Sequence, residues 1–155
     1  MSIYKRWILW LGHRRWFAAV GRRFGSRFDR WLYRASRGKL TTLGRRGAPV
    51  LLLTTTGRRS RCERTVPVMY IRDQRNFVIS SENFGQRHPA GWPLNLDADP
   101  AAKVQVGAEI VTCSAKRLTD DEADRYWPRL VQAWPAHATY RRRSGERHTF
   151  VLTPH

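Results

Sequence analysis

The chain has 155 residues and a mass of 18.1 kDa, a length that fits one compact domain. Lys and Arg number 29 against 12 Asp and Glu, so the formal net charge is +17 and anionic partners are favoured. A hydrophobic content of 41% with seven Trp excludes a disordered chain, and no apolar run approaches the ~20 residues of a membrane span.

Residues 1–46 carry most of the charge, with 13 basic residues against the single acidic Asp29. Apolar side chains recur there at steps of three and four, which predicts a long amphipathic helix that Gly21 and Gly25 can divide into two. The apolar stripe consists of Ile3, Trp7, Leu11, Phe17, Val20, Phe24, Phe28, Trp31 and Leu32. Such a helix either lies on an anionic membrane surface or packs on the rest of the protein. We expect the first, with the chain in the cytoplasm on the inner face of the cell membrane.

Residues 47–155 follow a boundary rich in Gly and Pro and show a strand pattern. Runs of β-branched and aromatic residues between turn signals predict six strands. They are Pro49–Thr54, Thr65–Ile71, Phe77–Ser81, Lys103–Val106, Ile110–Leu118 and Thr149–Leu152. Pro67 marks an edge or a bulge in the second strand because proline has no N–H to donate.

Helices are predicted late in the chain. A short one is expected around Trp92–Leu96, and a longer one at Asp120–Ala133 with Thr119 as its N-cap. Pro135 ends the longer helix, and a short helix reaches Arg142. Because helices do not alternate with strands, the pattern predicts an α+β fold, a mostly antiparallel, partly open barrel at 47–155 preceded by the helical segment 1–46.

The densest functional signal is the segment TTTGRRSRCERT at Thr54–Thr65, a turn between two strands with Gly57 at its sharpest point. Its part from Gly57 to Arg64 is called the arginine turn below. Its four arginines, its serine and its free backbone N–H groups predict a phosphate or carboxylate site, and the alternative is a solvated basic turn. Cys62 is either a reactive thiol or a passive turn residue. With Cys113 as the second of only two cysteines, a reduced compartment is the simpler interpretation.

Three segments resemble the deazaflavin-dependent nitroreductase family, in the same order and at matching spacings. They are APVLLLTTTGRRSRCERTVP at Ala48–Pro67, WPLNLDADPAAKVQV at Trp92–Val106 and DEADRYWPRLVQAWP at Asp121–Pro135. The resemblance covers roughly residues 28–153. It implies a split β-barrel of the FMN-binding type that uses the 8-hydroxy-5-deazaflavin coenzyme, factor 420. It also implies hydride transfer from that coenzyme to quinones, nitro compounds or other activated acceptors.

The resemblance also implies where the coenzyme binds. Its phosphate and oligoglutamate tail are expected on Arg58, Arg59, Ser60 and Arg64. Its ring is expected against a second set, which comprises Val66, Pro67, Val68, Met69, Ile79, Ser80, Ser81, Trp92 and Asn95. Ser81 is expected to act in catalysis through a hydrogen bond to a ring carbonyl, although Ser80 and Ser81 can equally satisfy local backbone.

Three residues after the late helix, Trp134, His137 and Tyr140, fall on one helix face. The matching positions of the family line the acceptor pocket, and His137 stands where members often have Tyr. Tyr140 is the expected catalytic donor of a hydrogen bond or proton to the acceptor. The alternative is that Trp134 and Tyr140 simply pack on the barrel.

Departures from the family pattern fall at three places. Arg61 replaces a Gly that would accept a positive φ freely, and Glu63 brings an acid beside the tail site. The segment Glu82–Phe84 replaces a small, Gly-rich loop, and Ala90–Pro93 holds one extra residue. These departures make a non-catalytic coenzyme carrier or a degenerate relative the first alternative to an enzyme.

A basic nucleic-acid-binding protein is the second alternative, because the net charge alone favours one. No helix-turn-helix, RNP1 or zinc pattern occurs, so no specific nucleic acid is expected. The five histidines show no metal-ligand spacing, and we expect no metal. Nothing in the pattern predicts an oligomeric state or names the acceptor.

Overall fold

A computed structural model describes residues 26–35 and 49–155. Six strands form a closed, entirely antiparallel barrel in the order β1-β2-β3-β6-β5-β4, with β4 pairing back onto β1. Their bounds are β1 Val50–Thr56, β2 Glu63–Asp73, β3 Asn76–Ser81, β4 Ala101–Val106, β5 Glu109–Arg117 and β6 His148–Pro154. The predicted α+β split barrel of six strands is confirmed, but the expectation that it is partly open is wrong, because β4 pairs with β1 and closes it.

The barrel interior is filled by the alternate, inward-facing side chains of its strands. Its largest fully buried members include Leu51, Leu53, Ile79, Phe150 and Leu152. The run PVLLLT was therefore correctly predicted as a buried strand, and it extends two residues further, to Thr56.

Strand β2 is longer than predicted and has two unlike halves. All of Val50–Thr56 pairs with its first half, from Glu63 to Met69, whereas β3 pairs only with Tyr70–Asp73. Pro67 lies opposite Leu52 in the half that has no ladder with β3. The edge expected at Pro67 is thus present locally, within a closed barrel.

The described part of the chain also contains five helices and one 3-10 turn outside the barrel strands. They are α1 Ser26–Ala35, the 3-10 turn Asn83–Gly85, α2 Gly91–Ala98, α3 Asp120–Asp124, α4 Trp127–Ala133 and α5 Ala136–Ser144. Thr119 caps α3 as predicted, in a capping box in which its hydroxyl accepts from the Glu122 N–H at 3.3 Å.

The single helix predicted at Asp120–Ala133 is wrong. It divides into α3 and α4 around Arg125 and Tyr126. Pro128 is the reason, because it has no N–H to donate to the Asp124 carbonyl and its ring would collide with that carbonyl in a continuous helix. Proline is instead well placed in the first turn of α4.

Helix α1 confirms part of the predicted N-terminal helix; residues 1–25 and 36–46 of that prediction, with Gly21 and Gly25, lie outside the described residues. Trp31, a member of the predicted apolar stripe, is 63% exposed, whereas Tyr33, which the stripe did not include, is buried. The Tyr33 hydroxyl accepts from the Gly107 N–H at 2.7 Å, and burial raises the pKa of this phenol above its ordinary value. Arg30 donates to the Thr65 carbonyl, so α1 is fastened to both β2 and the β4–β5 turn.

None of the helices in residues 26–35 and 49–155 is long and apolar enough to cross a membrane. Both cysteines are free thiols, Cys62 exposed and Cys113 buried. Burial raises the pKa of the Cys113 thiol. The division of the chain at residue 46 stays a prediction.

Candidate active site

The arginine turn connects β1 to β2 and is closed by its own backbone. The Gly57 N–H donates to the Cys62 carbonyl and the Arg61 N–H to the Gly57 carbonyl, each at 2.8 Å. A Cβ at Gly57 would lie 2.5 Å from Ser60 Oγ and 3.1 Å from the Cys62 carbonyl oxygen. Glycine is therefore required at this position by close approach of the turn to itself.

Asn95 of α2 links the arginine turn to strand β1 through two hydrogen bonds. Its Oδ1 accepts from the Arg58 N–H at 3.1 Å, and its Nδ2 donates to Thr55 Oγ1 at 3.0 Å. Both Asn95 and Thr55 are buried. The two polar ends of the amide are thus engaged inside the protein and fix the turn relative to the barrel. The contact of Asn95 with a coenzyme ring stays a prediction.

The side chains of the turn leave a concentration of positive charge at the surface. Arg58, Arg59, Arg61 and Arg64 are all exposed, and Arg64 donates to Ser60 Oγ at 3.3 Å. Among the ion pairs of the described residues, none involves these four guanidinium groups. Glu63, the acid expected to repel an anionic tail, pairs with Lys103 at 2.5 Å. The turn therefore fits a phosphate or polycarboxylate group.

The expected free backbone N–H groups contribute less than predicted. Those of Gly57, Arg58, Arg61 and Cys62 bond within the protein, the last to Ser60 Oγ at 3.4 Å. The contacts to an anion consequently fall mainly to the arginine side chains. Cys62 Sγ lies 3.4 Å from the Ser60 carbonyl oxygen, which agrees with its interpretation as a passive turn residue.

Strands β2 and β3 separate next to this turn. Their last pair is Tyr70 with Ile79, after which Val66–Met69 and Ser80–Ser81 run on without a shared ladder. Strand β6 accompanies β3 to its end, through Ser81. The residues expected to hold a planar ring thus lie on the two sides of one strand divergence.

The predicted acceptor residues lie at the same divergence. Trp134 and Tyr140 are buried and form a cluster with Ala136, against which Met69 of β2 packs. Trp92 packs on Phe150 at 5.7 Å between ring centroids, and Phe150 is the register partner of Ile79. The burial of Trp134 and Tyr140 agrees with a packing role, and their contact with an acceptor stays a prediction.

A buried polar network follows the end of β3. Ser80 Oγ donates to Glu82 Oε1 at 2.7 Å and lies 3.1 Å from Thr149 Oγ1. Glu82 Oε2 lies 2.6 Å from Nδ1 of His137. Ser81 is differently placed: its Oγ accepts from the Asn83 N–H at 3.2 Å, which leaves its own O–H able to donate elsewhere.

Sequence reasoning missed the role of Glu82, which it treated only as a departure from a family pattern. The signal was present in the sequence, because Glu82 directly follows the predicted strand FVISS, and the structure shows the last five residues of that strand buried. A carboxylate at that position needs a partner inside the protein.

The segment after Glu82 has an uncommon backbone. Asn83, Phe84 and Gly85 have φ values of 42°, 56° and 80°, a left-handed run in which two of three residues carry a side chain. Phe84 meets the Tyr140 ring edge-on at 5.7 Å, and a Cβ at Gly85 would lie 2.9 Å from Cβ of Arg143. The segment is thus pressed against α5.

A cationic turn beside a strand divergence in a six-stranded antiparallel barrel defines the class of a split-barrel protein. Within residues 26–35 and 49–155, no group of three or more potential metal ligands occurs. The model of the F420H(2)-dependent quinone reductase family matches residues 25–154. The chain belongs to that family.

Two relatives from Mycobacterium tuberculosis illustrate the similarity. The chain is 31% identical over 98 residues to an F420H(2)-dependent quinone reductase, an alignment covering 62% of this chain and 66% of the relative. It is 32% identical over 90 residues to a second protein, provisionally assigned the same activity, covering 58% of this chain and 76% of the relative.

Two solved structures share the fold at more than a quarter of identical residues. An F420-H2 dependent reductase superposes with a TM-score of 0.62 and 27% identity, covering 67% of this chain and 93% of that one. A structure described as a domain-swapped dimer superposes with a TM-score of 0.62 and 26% identity, and the match covers 81% of this chain and 93% of that one. A heme binding protein from Mycobacterium smegmatis, at 0.51 and 20%, shows likeness of fold alone, covering 68% of this chain and 46% of that one.

Arg61→Gly is expected to stabilise the protein by about 0.5–1 kcal/mol. Arg61 has a φ of 58°, and a left-handed residue with a Cβ costs roughly 1–2 kcal/mol, which exceeds the roughly 0.4–1 kcal/mol that glycine adds to the entropy of the unfolded chain. Urea unfolding measures the difference. The matched control is Arg59→Gly, which removes the same charge from the same turn at a position without positive φ and should destabilise. A loss of stability in Arg61→Gly would contradict the left-handed assignment.

Proposed function

We propose that the protein is a deazaflavin-dependent oxidoreductase that transfers a hydride from the reduced 8-hydroxy-5-deazaflavin coenzyme to a quinone, a nitro compound or a similar activated acceptor. The observation that carries the proposal is the continuity of two features along β2. The four arginines of the arginine turn form no ion pair within the described residues and end at Arg64. From there to Met69, β2 runs without a ladder to β3, which pairs with it only from Tyr70 onward. A ligand with an anionic tail and a planar ring, lying along β2 at ~3.3 Å per residue, meets both.

The residues of the chain bind and orient the coenzyme. Arg58, Arg59, Ser60 and Arg64 would hold its phosphate and tail through charge-assisted hydrogen bonds. Val66–Met69 and the end of β3 would flank its ring, with Ser81 donating its free O–H to a ring carbonyl. When bound in reduced form, this coenzyme supplies a hydride to the acceptor.

The acceptor site is proposed at Trp134, His137 and Tyr140. Their aromatic rings offer an apolar surface that excludes water from a planar, electron-poor substrate. The Tyr140 hydroxyl would donate a hydrogen bond to an oxygen of the acceptor and orient it.

Arg61 and Glu63 depart from the family pattern and favoured a non-catalytic carrier, but the structure accommodates both residues. Arg61 adopts a φ of 58° despite its side chain, so the turn keeps its shape. Glu63 is paired with Lys103 and does not stand as a free negative charge beside the tail site. We therefore favour an enzyme over a carrier, and turnover of a quinone panel with reduced coenzyme is the measurement that separates them.

Arg59→Ala and Arg64→Ala are each expected to weaken coenzyme binding at least about tenfold, since one charge-assisted hydrogen bond contributes roughly 1.5–3 kcal/mol. Fluorescence titration with the oxidised coenzyme measures the affinity. Arg75→Ala is the matched control, because Arg75 is an equally exposed cation at the other end of β2. If all three variants bind alike, the tail does not lie on the arginine turn.

Tyr140→Phe is expected to lower quinone turnover about tenfold or more while leaving coenzyme affinity unchanged. The substitution keeps the ring that packs on Phe84 and deletes only the hydroxyl, so it isolates the hydrogen bond to the acceptor. Steady-state kinetics with a soluble quinone and coenzyme titration measure the two quantities. Unchanged turnover would leave Tyr140 a packing residue only.

We also propose, from the sequence of residues 1–25, that the N-terminal segment binds an anionic membrane surface on the cytoplasmic side. Trp7, Leu11 and Phe17 alternate there with pairs of arginines at 14–15 and 22–23. Each such cation contributes about 1 kcal/mol near an anionic leaflet. Binding would bring the enzyme to quinones dissolved in the lipid, and two free thiols suit a reducing compartment.

The full-length protein is expected to co-sediment with vesicles containing anionic lipid at physiological salt. A truncated protein that starts at Ser26 retains α1 and should remain in the supernatant while still reducing soluble quinones. Vesicles of neutral lipid are the control. Sedimentation of the truncated protein with anionic vesicles, or failure of the full-length protein to sediment, would contradict membrane binding by residues 1–25.

A further inference from the structure

The proposed function places His137 in the acceptor site but gives no role to its buried contact with Glu82. Glu82 ends β3 and His137 lies in the first turn of α5, 55 residues later, with 2.6 Å between Glu82 Oε2 and His137 Nδ1. The two side chains are only 2% and 5% exposed. An acid and an imidazole buried together at this distance form a short, directional hydrogen bond.

The rest of the network fixes which nitrogen carries that proton. Thr149 Oγ1 lies beside Ser80 Oγ, and Ser80 donates its hydroxyl proton to Glu82 Oε1. Because one carboxylate oxygen already accepts from Ser80 and the other faces Nδ1, Glu82 acts as an acceptor on both sides. His137 therefore donates from Nδ1, and its chemistry is left to Nε2.

The opposite ring nitrogen has no partner. Nε2 of His137 is buried, and among the described residues no atom forms a hydrogen bond with it. A buried polar atom without a hydrogen-bond partner lowers the stability of the folded protein. The position of Nε2 is explained if a bound ligand supplies the missing hydrogen bond. His137 adjoins Ala136 and lies one helical turn from Tyr140, both in the cluster that contacts Met69 at the strand divergence.

We propose that His137, held by Glu82, is the proton donor to the acceptor; the inference deepens the proposed function and rests on it. The step uses the form of His137 that carries a proton on both ring nitrogens. As the acceptor gains a hydride, the Nε2–H bond breaks and an O–H bond forms on the quinone oxygen. The electron pair of the broken bond stays on Nε2, and the quinone with one hydride and one proton becomes a hydroquinone. After the hydroquinone has left, a proton taken up from solvent returns to Nε2.

Glu82 is a positioning residue in this step. Its carboxylate holds Nδ1–H, sets the orientation of the ring and balances the charge of the imidazolium. It accepts no proton itself. Tyr140, three residues along the same helix, orients the acceptor by a hydrogen bond and is not the proton source.

The first test uses the free protein, without coenzyme. Two-bond ¹H–¹⁵N spectra of histidine-labelled protein should show Nδ1 of His137 protonated, and addition of menadione, a soluble naphthoquinone, should shift the Nε2 resonance. Glu82→Gln, which keeps the shape of the side chain, should abolish the fixed protonation at Nδ1. A Nε2 resonance that ignores saturating menadione would overturn the proposal, and this readout on the parent protein needs no variant to fold.

The second test is turnover of menadione with reduced coenzyme. His137→Asn retains an amide near Nδ1 but removes Nε2, so kcat should fall about 100-fold or more with little change in KM, and a larger solvent isotope effect should appear. Glu82→Gln should lower kcat with the same pattern. The matched control is His148→Asn, which removes an imidazole from a second His–Glu pair, with 3.3 Å between His148 Nε2 and Glu146 Oε2, and should stay within about twofold of the parent.

The outcomes separate the two proposals. If the parent protein reduces menadione and His137→Asn does so equally well, His137 is not the donor, while the proposed function stands. If the parent protein reduces no quinone in a broad panel, the proposed function and the donor role both fall. If Glu82→Gln loses the fixed proton on Nδ1 of His137 but keeps its turnover, Glu82 has no positioning role, and the donor role of His137 is unaffected.

Discussion

The candidate site depends on the point where backbone pairing between β2 and β3 stops. Each strand must satisfy its N–H and C=O groups, and here β2 does so through β1, and β3 through β6, instead of through each other. The strands can therefore diverge beyond Tyr70 and Ile79 without breaking either ladder. Pro67 lies in that half of β2, where the N–H it lacks is not needed for pairing with β3. The ladders that β1 forms with β4 and β3 forms with β6 hold the two strands in place on either side of the divergence.

The arginine turn shows how a cluster of like charges is held in place beside that divergence. Guanidinium groups repel one another, so the turn needs restraint that does not consume their charge. Its backbone closes on Gly57, and Asn95 binds the Arg58 N–H from a buried position. The one nearby acid, Glu63, is turned to Lys103. Arg61, Asn83 and Phe84 all have positive φ. They lie at the two ends of the proposed ligand path, and strained backbone of this kind is commonly found at functional sites.

Local signals explain how much of this could be predicted from sequence. Short β-branched runs and the Thr119 cap predicted the strands and one helix start, and a run of arginines around a glycine predicted the anion site. The division of the helix at Pro128 was predictable from the same local rules and was overlooked. The pairing of Glu82 with His137, and of Asn95 with Arg58, was not, because 55 and 37 residues separate the partners and only the closed barrel brings them together. The burial of Tyr33, which is not a member of the predicted apolar stripe, could not be predicted for a related reason. Periodicity identifies an apolar face, but the surface against which a helix packs decides which side chains are buried.

Helix α1 links the N-terminal segment to the chemistry in a direct way. It is fastened through Arg30 to the Thr65 carbonyl, one residue before Val66, and through Tyr33 to the β4–β5 turn. The family match begins at residue 25, next to the first residue of this helix. Whatever residues 1–25 bind is therefore tied to the strand that carries both the arginine turn and the divergence. The proposed membrane binding of residues 1–25 would therefore act on a segment that continues into α1 and, through Arg30, contacts β2.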